Sequence, residues 1–159
     1  MKSYRLFWLI SLIVLVLFSC HKKTIDKEKQ FVHLNSSEVK ALNIRHDLYE
    51  VILNFTIDKG YHIQLDSVTD SNLIPTTFKV LGKKDFELVS NNVNYKKEKW
   101  TFDNVNFFEV ISERFSVILT FKIKDTKGDN KNLSGILTYQ TCDDRKCYFP
   151  RQLSVNMTL

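Results

Sequence analysis

Three stretches of this chain place a hydrophobic residue at every second position, and that period selects strands over amphipathic helices. Val51, Leu53, Phe55 and Ile57 alternate with Glu50, Asn54, Thr56 and Asp58, and Val117, Leu119, Phe121 and Ile123 alternate with Ser116, Thr120, Lys122 and Lys124. Near the end, Leu153, Val155, Met157 and Leu159 face one way while Gln152, Ser154, Asn156 and Thr158 face the other. Successive side chains of a strand point to opposite faces, so each stretch reads as a strand with one buried face. Weaker strands are expected at Glu38–Arg45, Tyr61–Leu65, Thr76–Leu81, Phe86–Ser90, Trp100–Phe102 and Ile136–Gln140. Turn signals stand between them at Asp58-Lys59-Gly60, Leu81-Gly82-Lys83 and Lys127-Gly128-Asp129-Asn130. Roughly seven to nine short strands so separated predict an all-β antiparallel sandwich.

With 159 residues, 43% hydrophobic residues and 12 Phe, the chain can bury one core. The net charge of +5 includes Lys2 and Arg5; beyond residue 19 the balance is 21 basic against 18 acidic groups. That excess is small and dispersed, whereas a nucleic-acid footprint gathers Lys and Arg on one face, so no nucleic-acid partner is expected.

Residues 1–19 have the layout of a secretory signal, with Lys2 and Arg5 ahead of an apolar run from Leu6 to Phe18. The run is shorter than the roughly 20 apolar residues of a membrane span. Leu17-Phe18-Ser19-Cys20 resembles a bacterial lipobox, which implies cleavage before Cys20 and lipidation there; the alternative is an uncleaved signal anchor, and either way the domain is exported and tethered. Residues 20–30 are polar and charged, as in a tether, and residues 31–159 are expected to form the folded domain. Export places the remaining cysteines, Cys142 and Cys147, where disulfides persist.

Cys142 and Cys147 flank Asp143-Asp144-Arg145-Lys146, a spacing too wide for a helical Cys-x-x-Cys and suited to the mouth of a β-hairpin. Facing Cα atoms there lie about 5.5 Å apart in a hydrogen-bonded pair, near the favoured disulfide spacing. On spacing alone an inert staple is favoured over a redox reagent. Such a bridge closes a loop of about six residues, and the chain-entropy gain is only roughly 2 kcal/mol. Local charge does not decide, since the two aspartates raise a thiol pKa and Arg145 and Lys146 lower it.

The run Gly135-Ile136-Leu137-Thr138-Tyr139-Gln140-Thr141-Cys142-Asp143-Asp144, followed by Cys147-Tyr148-Phe149-Pro150, resembles the Tyr-Gln-x-Cys-Asp…Cys-x-x-Pro signature of the N-terminal periplasmic domain of the thiol:disulfide interchange protein DsbD. The resemblance implies an immunoglobulin-like β-sandwich whose cysteine pair shuttles between dithiol and disulfide. It implies that Cys147 attacks partners and Cys142 resolves, with Tyr139 and Gln140 flanking the pair. Trp100-Thr101-Phe102-Asp103-Asn104-Val105-Asn106-Phe107-Phe108-Glu109 resembles the family's covering loop, with Phe107 as the covering residue and Phe108 beside it, or filling the core. The loop departs from the family pattern at Val105-Asn106, where an acidic pair would stand, and at Glu109, where a Gly would stand. Gly60-Tyr61-His62-Ile63-Gln64 resembles the strand beside the cysteines, placing His62 and Gln64 on one face where the family tends to have tyrosines. A histidine of ordinary pKa there would stabilise a thiolate or pass a proton.

The implied partners are thioredoxin-like periplasmic proteins and a separate membrane electron donor, because the family's membrane conductor and thioredoxin-like domain would begin where this chain ends. No metal is expected: two cysteines with His33, His46 and His62 far upstream do not supply the four ligands of a structural zinc site. No cofactor motif is present either. The expectation is a lipid-anchored component of protein-disulfide reduction, facing the periplasm. The rival is a non-catalytic sandwich lipoprotein that binds a protein or ligand, with Cys142–Cys147 as a staple.

Overall fold

Two of the alternating stretches become the middle strands of one antiparallel sheet, and the third is an edge strand of the sheet that faces it. A computed structural model describes residues 29–42, 47–68, 70, 72–82, 86–102, 106–124 and 132–158. The expected signal segment, Cys20, most of the tether, Arg45, Asp103 to Val105, the turn at 127–130 and Leu159 lie outside the described residues. The strands are β1 Val32–Ala41, β2 Leu48–Ile57, β3 His62–Ile63, β4 Thr77–Leu81, β5 Phe86–Trp100, β6 Phe108–Ile123, β7 Asn132–Tyr139, β8 Thr141–Cys142 and β9 Arg151–Thr158. One sheet has the order β1-β2-β6-β3-β8, with β5 also pairing β6, and the other is β4-β7-β9.

Alternation decides what lies between the sheets. Val51, Leu53 and Phe55 of β2 and Val117, Leu119 and Phe121 of β6 are fully buried, as are Leu133, Leu137 and Tyr139 of β7. Phe55 and Phe115 stack across β2 and β6 with ring centroids 4.9 Å apart. At Gly135 on β7 an added Cβ would run into the ring of the buried Phe78, so a side chain is excluded there by packing. The expected turn at Asp58–Gly60 forms, with Gly60 at φ 85° and Tyr61 N–H donating to the Asp58 carbonyl at 3.1 Å.

Three expectations are corrected. Phe86–Ser90 and Trp100–Phe102 are not separate strands: β5 runs unbroken from Phe86 to Trp100, and Phe102 lies beyond it. Its middle, Asn91 to Lys99, has no fully buried residue; only Val93 and Tyr95 rest half-buried on the core, too short an alternation to mark a strand, and pairing with β6 holds it extended. β1 begins at Val32, six residues before the expected Glu38.

β6 acts as the spine. It pairs β2 from Arg114 to Lys122 and β3 at Ile111 and Ser112. Between them Glu113 takes a left-handed φ of 61°, an uncommon conformation for a residue with a Cβ. That break brings the two-residue β3 onto the end of β6, and β3 in turn seats β8, which carries Cys142. The chain therefore leaves the small sheet after Tyr139, crosses at Gln140 to the large one, and returns as β9 after Pro150.

Candidate functional site

The cysteines occupy the tip of that excursion. Tyr148 N–H donates to the Thr141 carbonyl at 2.8 Å and Asp143 N–H to the Lys146 carbonyl at 2.9 Å, closing a hairpin with Asp144 and Arg145 at its turn. Cys142 and Cys147 face each other between these bonds. This is the non-hydrogen-bonded kind of antiparallel pair, in which Cα atoms come closest. The Cα–Cα distance is accordingly 3.9 Å, below the hairpin spacing expected from sequence, and the pair forms a disulfide.

Asp143 fixes the turn. One carboxylate oxygen accepts from the backbone N–H groups of Arg145 and Lys146 at 2.8 and 2.9 Å, and the other from the Tyr148 hydroxyl at 2.7 Å. The Tyr148 bond, with the two backbone bonds, holds this carboxyl down at about 2, and the same bond pushes the Tyr148 phenol up to about 12. Tyr148 also packs its ring 5.0 Å from Phe31, so the hairpin rests on the chain's entry into the sandwich.

The two cysteines differ in exposure. Cys142 has no exposed surface, whereas Cys147 is half-buried and lines a cavity of about 750 Å3. Gln64 lines the same cavity, is buried, and donates its amide to Cys142 Sγ at 3.3 Å. Gln64 thus stands beside Cys142, and His62, two residues earlier, is set opposite the same cysteine in the β3–β8 pair. Gln140 acts on the backbone: its Oε1 accepts from Ile74 N–H at 2.9 Å and its Nε2 donates to the Tyr148 carbonyl at 3.3 Å. Tyr139 points elsewhere. Its hydroxyl donates to Gln30 Oε1 at 2.6 Å and accepts from Phe31 N–H at 3.4 Å, so this residue ties the entry strand to the core.

His62 stands directly across from Cys142 in register and has no exposure. Burial lowers its pKa to about 4 against a smaller upward pull from Asp143, so the imidazole is neutral near pH 7. This corrects the expectation of a histidine titrating near operating pH: desolvation disfavours the cation. Trp100 lies 4.4 Å from the imidazole and Phe108 6.1 Å, centroid to centroid. Both ring nitrogens are buried without a hydrogen-bond partner.

Phe107 is 61% exposed and borders the cavity with Cys147. Phe108 is half-buried between Phe102 and His62, so its side chain serves as a wall of the imidazole site. Asp143 and Tyr148 belong to the signature and Trp100 opens the covering-loop stretch, but the roles they take here, turn clamp and wall of the imidazole site, were not among the sequence expectations. The Asx-turn signal at Asp143, two and three residues ahead of the amides it caps, was available in the sequence; the partners of Tyr148 and Trp100 depend on tertiary placement.

Fold and site together define a class: an antiparallel, immunoglobulin-like β-sandwich carrying a disulfide of unequal sulfurs in a hairpin tip at one end. Among solved structures the chain is similar to the N-terminal periplasmic domain of ScsB from Proteus mirabilis, with a TM-score of 0.56 at 11% identity over 82% of this chain and 47% of that one. It is also similar to the DsbD N-terminal domain of Neisseria meningitidis in the reduced form, with a TM-score of 0.41 at 18% identity over 68% of this chain and 75% of that one. The ScsB likeness establishes a common fold, and the chain spans about half the length of that solved chain. No protein-family model and no curated protein matches the sequence.

Proposed function

We propose that the protein is a thiol–disulfide exchange module. The observation that carries this reading is the inequality of the sulfurs, with Cys142 sealed against Gln64 and Cys147 opening into a cavity. A staple has no use for such a difference, and this one closes so short a loop that its entropic gain is only about 2 kcal/mol. In the reduced state the Cys147 thiolate attacks a partner disulfide, forming a Cys147–partner bond and expelling the partner's other sulfur as thiolate. Cys142 then attacks Cys147, re-forms the internal disulfide and releases the partner reduced by two electrons. The partners are thioredoxin-like proteins, and a membrane donor restores the dithiol. We place the domain in the periplasm, residues 31–159 forming the sandwich, carried by a lipid on Cys20 after removal of residues 1–19 and a tether over 20–30. Phe107 stands at the cavity mouth as its cover.

The deciding experiment equilibrates the protein with glutathione or dithiothreitol buffers and measures the reduction potential of the pair. A value of roughly −180 to −270 mV supports exchange, and a value below about −300 mV marks a structural disulfide and favours the binding-module reading. In the exchange reading, Cys142→Ser leaves Cys147 to trap partners as mixed disulfides.

A further inference from the structure

Cys142 on β8, His62 on β3 and Ser112 on β6 stand directly opposite one another across three adjacent strands. Directly opposed residues of antiparallel strands share a face, with Cβ atoms about 4.5–5.5 Å apart. The Ser112 hydroxyl in turn donates to the Glu98 carboxylate on β5. Access rises along this row: the sulfur and the imidazole have no exposure, while Ser112 and Glu98 are half-buried. The disulfide state leaves both imidazole nitrogens unpaired between Trp100 and Phe108. Burying polar atoms without partners is unfavourable, and a reduced Cys142 would offer the acceptor nitrogen a partner, since a thiol carries an S–H donor that a disulfide sulfur lacks.

We propose that His62 carries the proton of Cys142 during exchange and that Ser112 and Glu98 lead it to solvent. The inference rests on the exchange reading above. Cys147 trades its proton with water directly; Cys142, sealed from water, needs a carrier. As Cys142 resolves the mixed disulfide, its S–H proton passes to the imidazole and its sulfur electron pair forms the bond to Cys147. The bond between Cys147 and the partner sulfur breaks, and that sulfur leaves as thiolate. The imidazolium then returns its proton through Ser112 and Glu98 to water, and the partner thiolate takes one up. Gln64 donates to the Cys142 sulfur and steadies charge as it develops there. Among the described residues the charged group that acts on the imidazole is Asp143, which favours the cation; Glu98 meets the row through Ser112, and Lys97 is held by Glu109 at 2.6 Å.

The test mixes reduced protein, with Cys20→Ser so that only the pair reacts, with excess glutathione disulfide and follows the two releases of glutathione between about pH 5.5 and 7.5. The first release reports attack by Cys147, the second resolution by Cys142. In the unaltered protein the second phase is expected to be nearly level with pH. In His62→Phe it falls at least roughly tenfold at pH 6 and then climbs about tenfold per pH unit, as for a thiol waiting on hydroxide, while the first phase stays within about twofold. Equal second-phase rates and slopes in the two proteins overturn the proposal. Should His62→Phe not fold, Glu98→Gln decides: slowing of the second phase by about threefold or more supports the row, and an unchanged phase overturns it. If the unaltered protein releases no glutathione at any pH, exchange itself fails, an outcome distinct from a His62→Phe variant that resolves normally.

Discussion

Replacing His62 with Phe is expected to make the protein more stable. The imidazole is fully buried with both nitrogens unpaired, and each unsatisfied buried polar group costs about 1–3 kcal/mol. An apolar ring between Trp100 and Phe108 removes that cost; fitting a slightly larger ring takes part of the gain back, leaving about 1–3 kcal/mol at pH 7. The sign of the pH dependence follows from the pKa, which is 6.5 for an ordinary histidine and about 4 in the fold. Between these values the unfolded chain binds a proton that the folded one refuses, so stability rises with pH across the window and is lost as pH falls through it. From pH 7 to pH 5 the loss from His62 alone is about 2 kcal/mol. Urea unfolding of both proteins at a series of pH values isolates this contribution, because the other groups cancel in the difference. The difference in unfolding free energy should widen by about 2 kcal/mol between pH 7 and pH 5. A constant difference would show that the imidazole is not buried as described and would refute the reasoning.

Gly135→Ala should destabilise by about 1–3 kcal/mol, since the new Cβ meets Phe78 Cζ, Phe78 Cε1 at 2.5 Å and the Lys79 carbonyl at 3.1 Å. Thermal melts of a double mutant with Phe78→Leu should recover part of the loss, and strictly additive effects would contradict the clash. Asp143→Ala should speed hydrogen exchange at the Arg145 and Lys146 amides, which its carboxylate caps. Because that carboxyl is lowered from 3.8 to about 2, the capping is complete above its ordinary pKa and fades as pH falls toward 2; amide exchange in acid checks the window. Gln64→Leu should raise the Cys142 thiol pKa, measured by thiolate absorbance, through loss of an amide donor to sulfur, and an unchanged titration would contradict that role. Phe107→Ala should speed alkylation of the reduced pair by a bulky thiol reagent, and an unchanged rate removes Phe107 from the covering role.

Where burial follows local alternation, the fold was legible in advance. β2, β6 and β9 each bury one face, so the period-two pattern located them, and Gly60 marked its turn by the backbone it alone adopts without strain. β5 was illegible between Asn91 and Lys99 because only Val93 and Tyr95 there lean, half-buried, on the core, too short an apolar alternation to mark a strand that pairing with β6 holds extended. The cysteine hairpin followed from spacing, but its close Cα approach depended on which kind of opposed pair the cysteines form. The state of His62 was misread because residues about 40 positions away, Trp100 and Phe108, close over it, and no local signal announces a desolvated imidazole. Tyr139 belonged to the signature yet serves the entry strand, since the last side chain of β7 points into the core and the hairpin turns off one residue later.

The crossing between sheets at Gln140 has a consequence for durability. The sulfur bridge sits on that crossing, but the crossing does not depend on it: Gln140 ties it to Ile74 and Tyr148, Asp143 clamps the tip, and Tyr148 leans on Phe31. Were the bridge reduced, the seam between the two sheets would keep these other fastenings. The join between the two sheets is thus fastened independently of the sulfur bond.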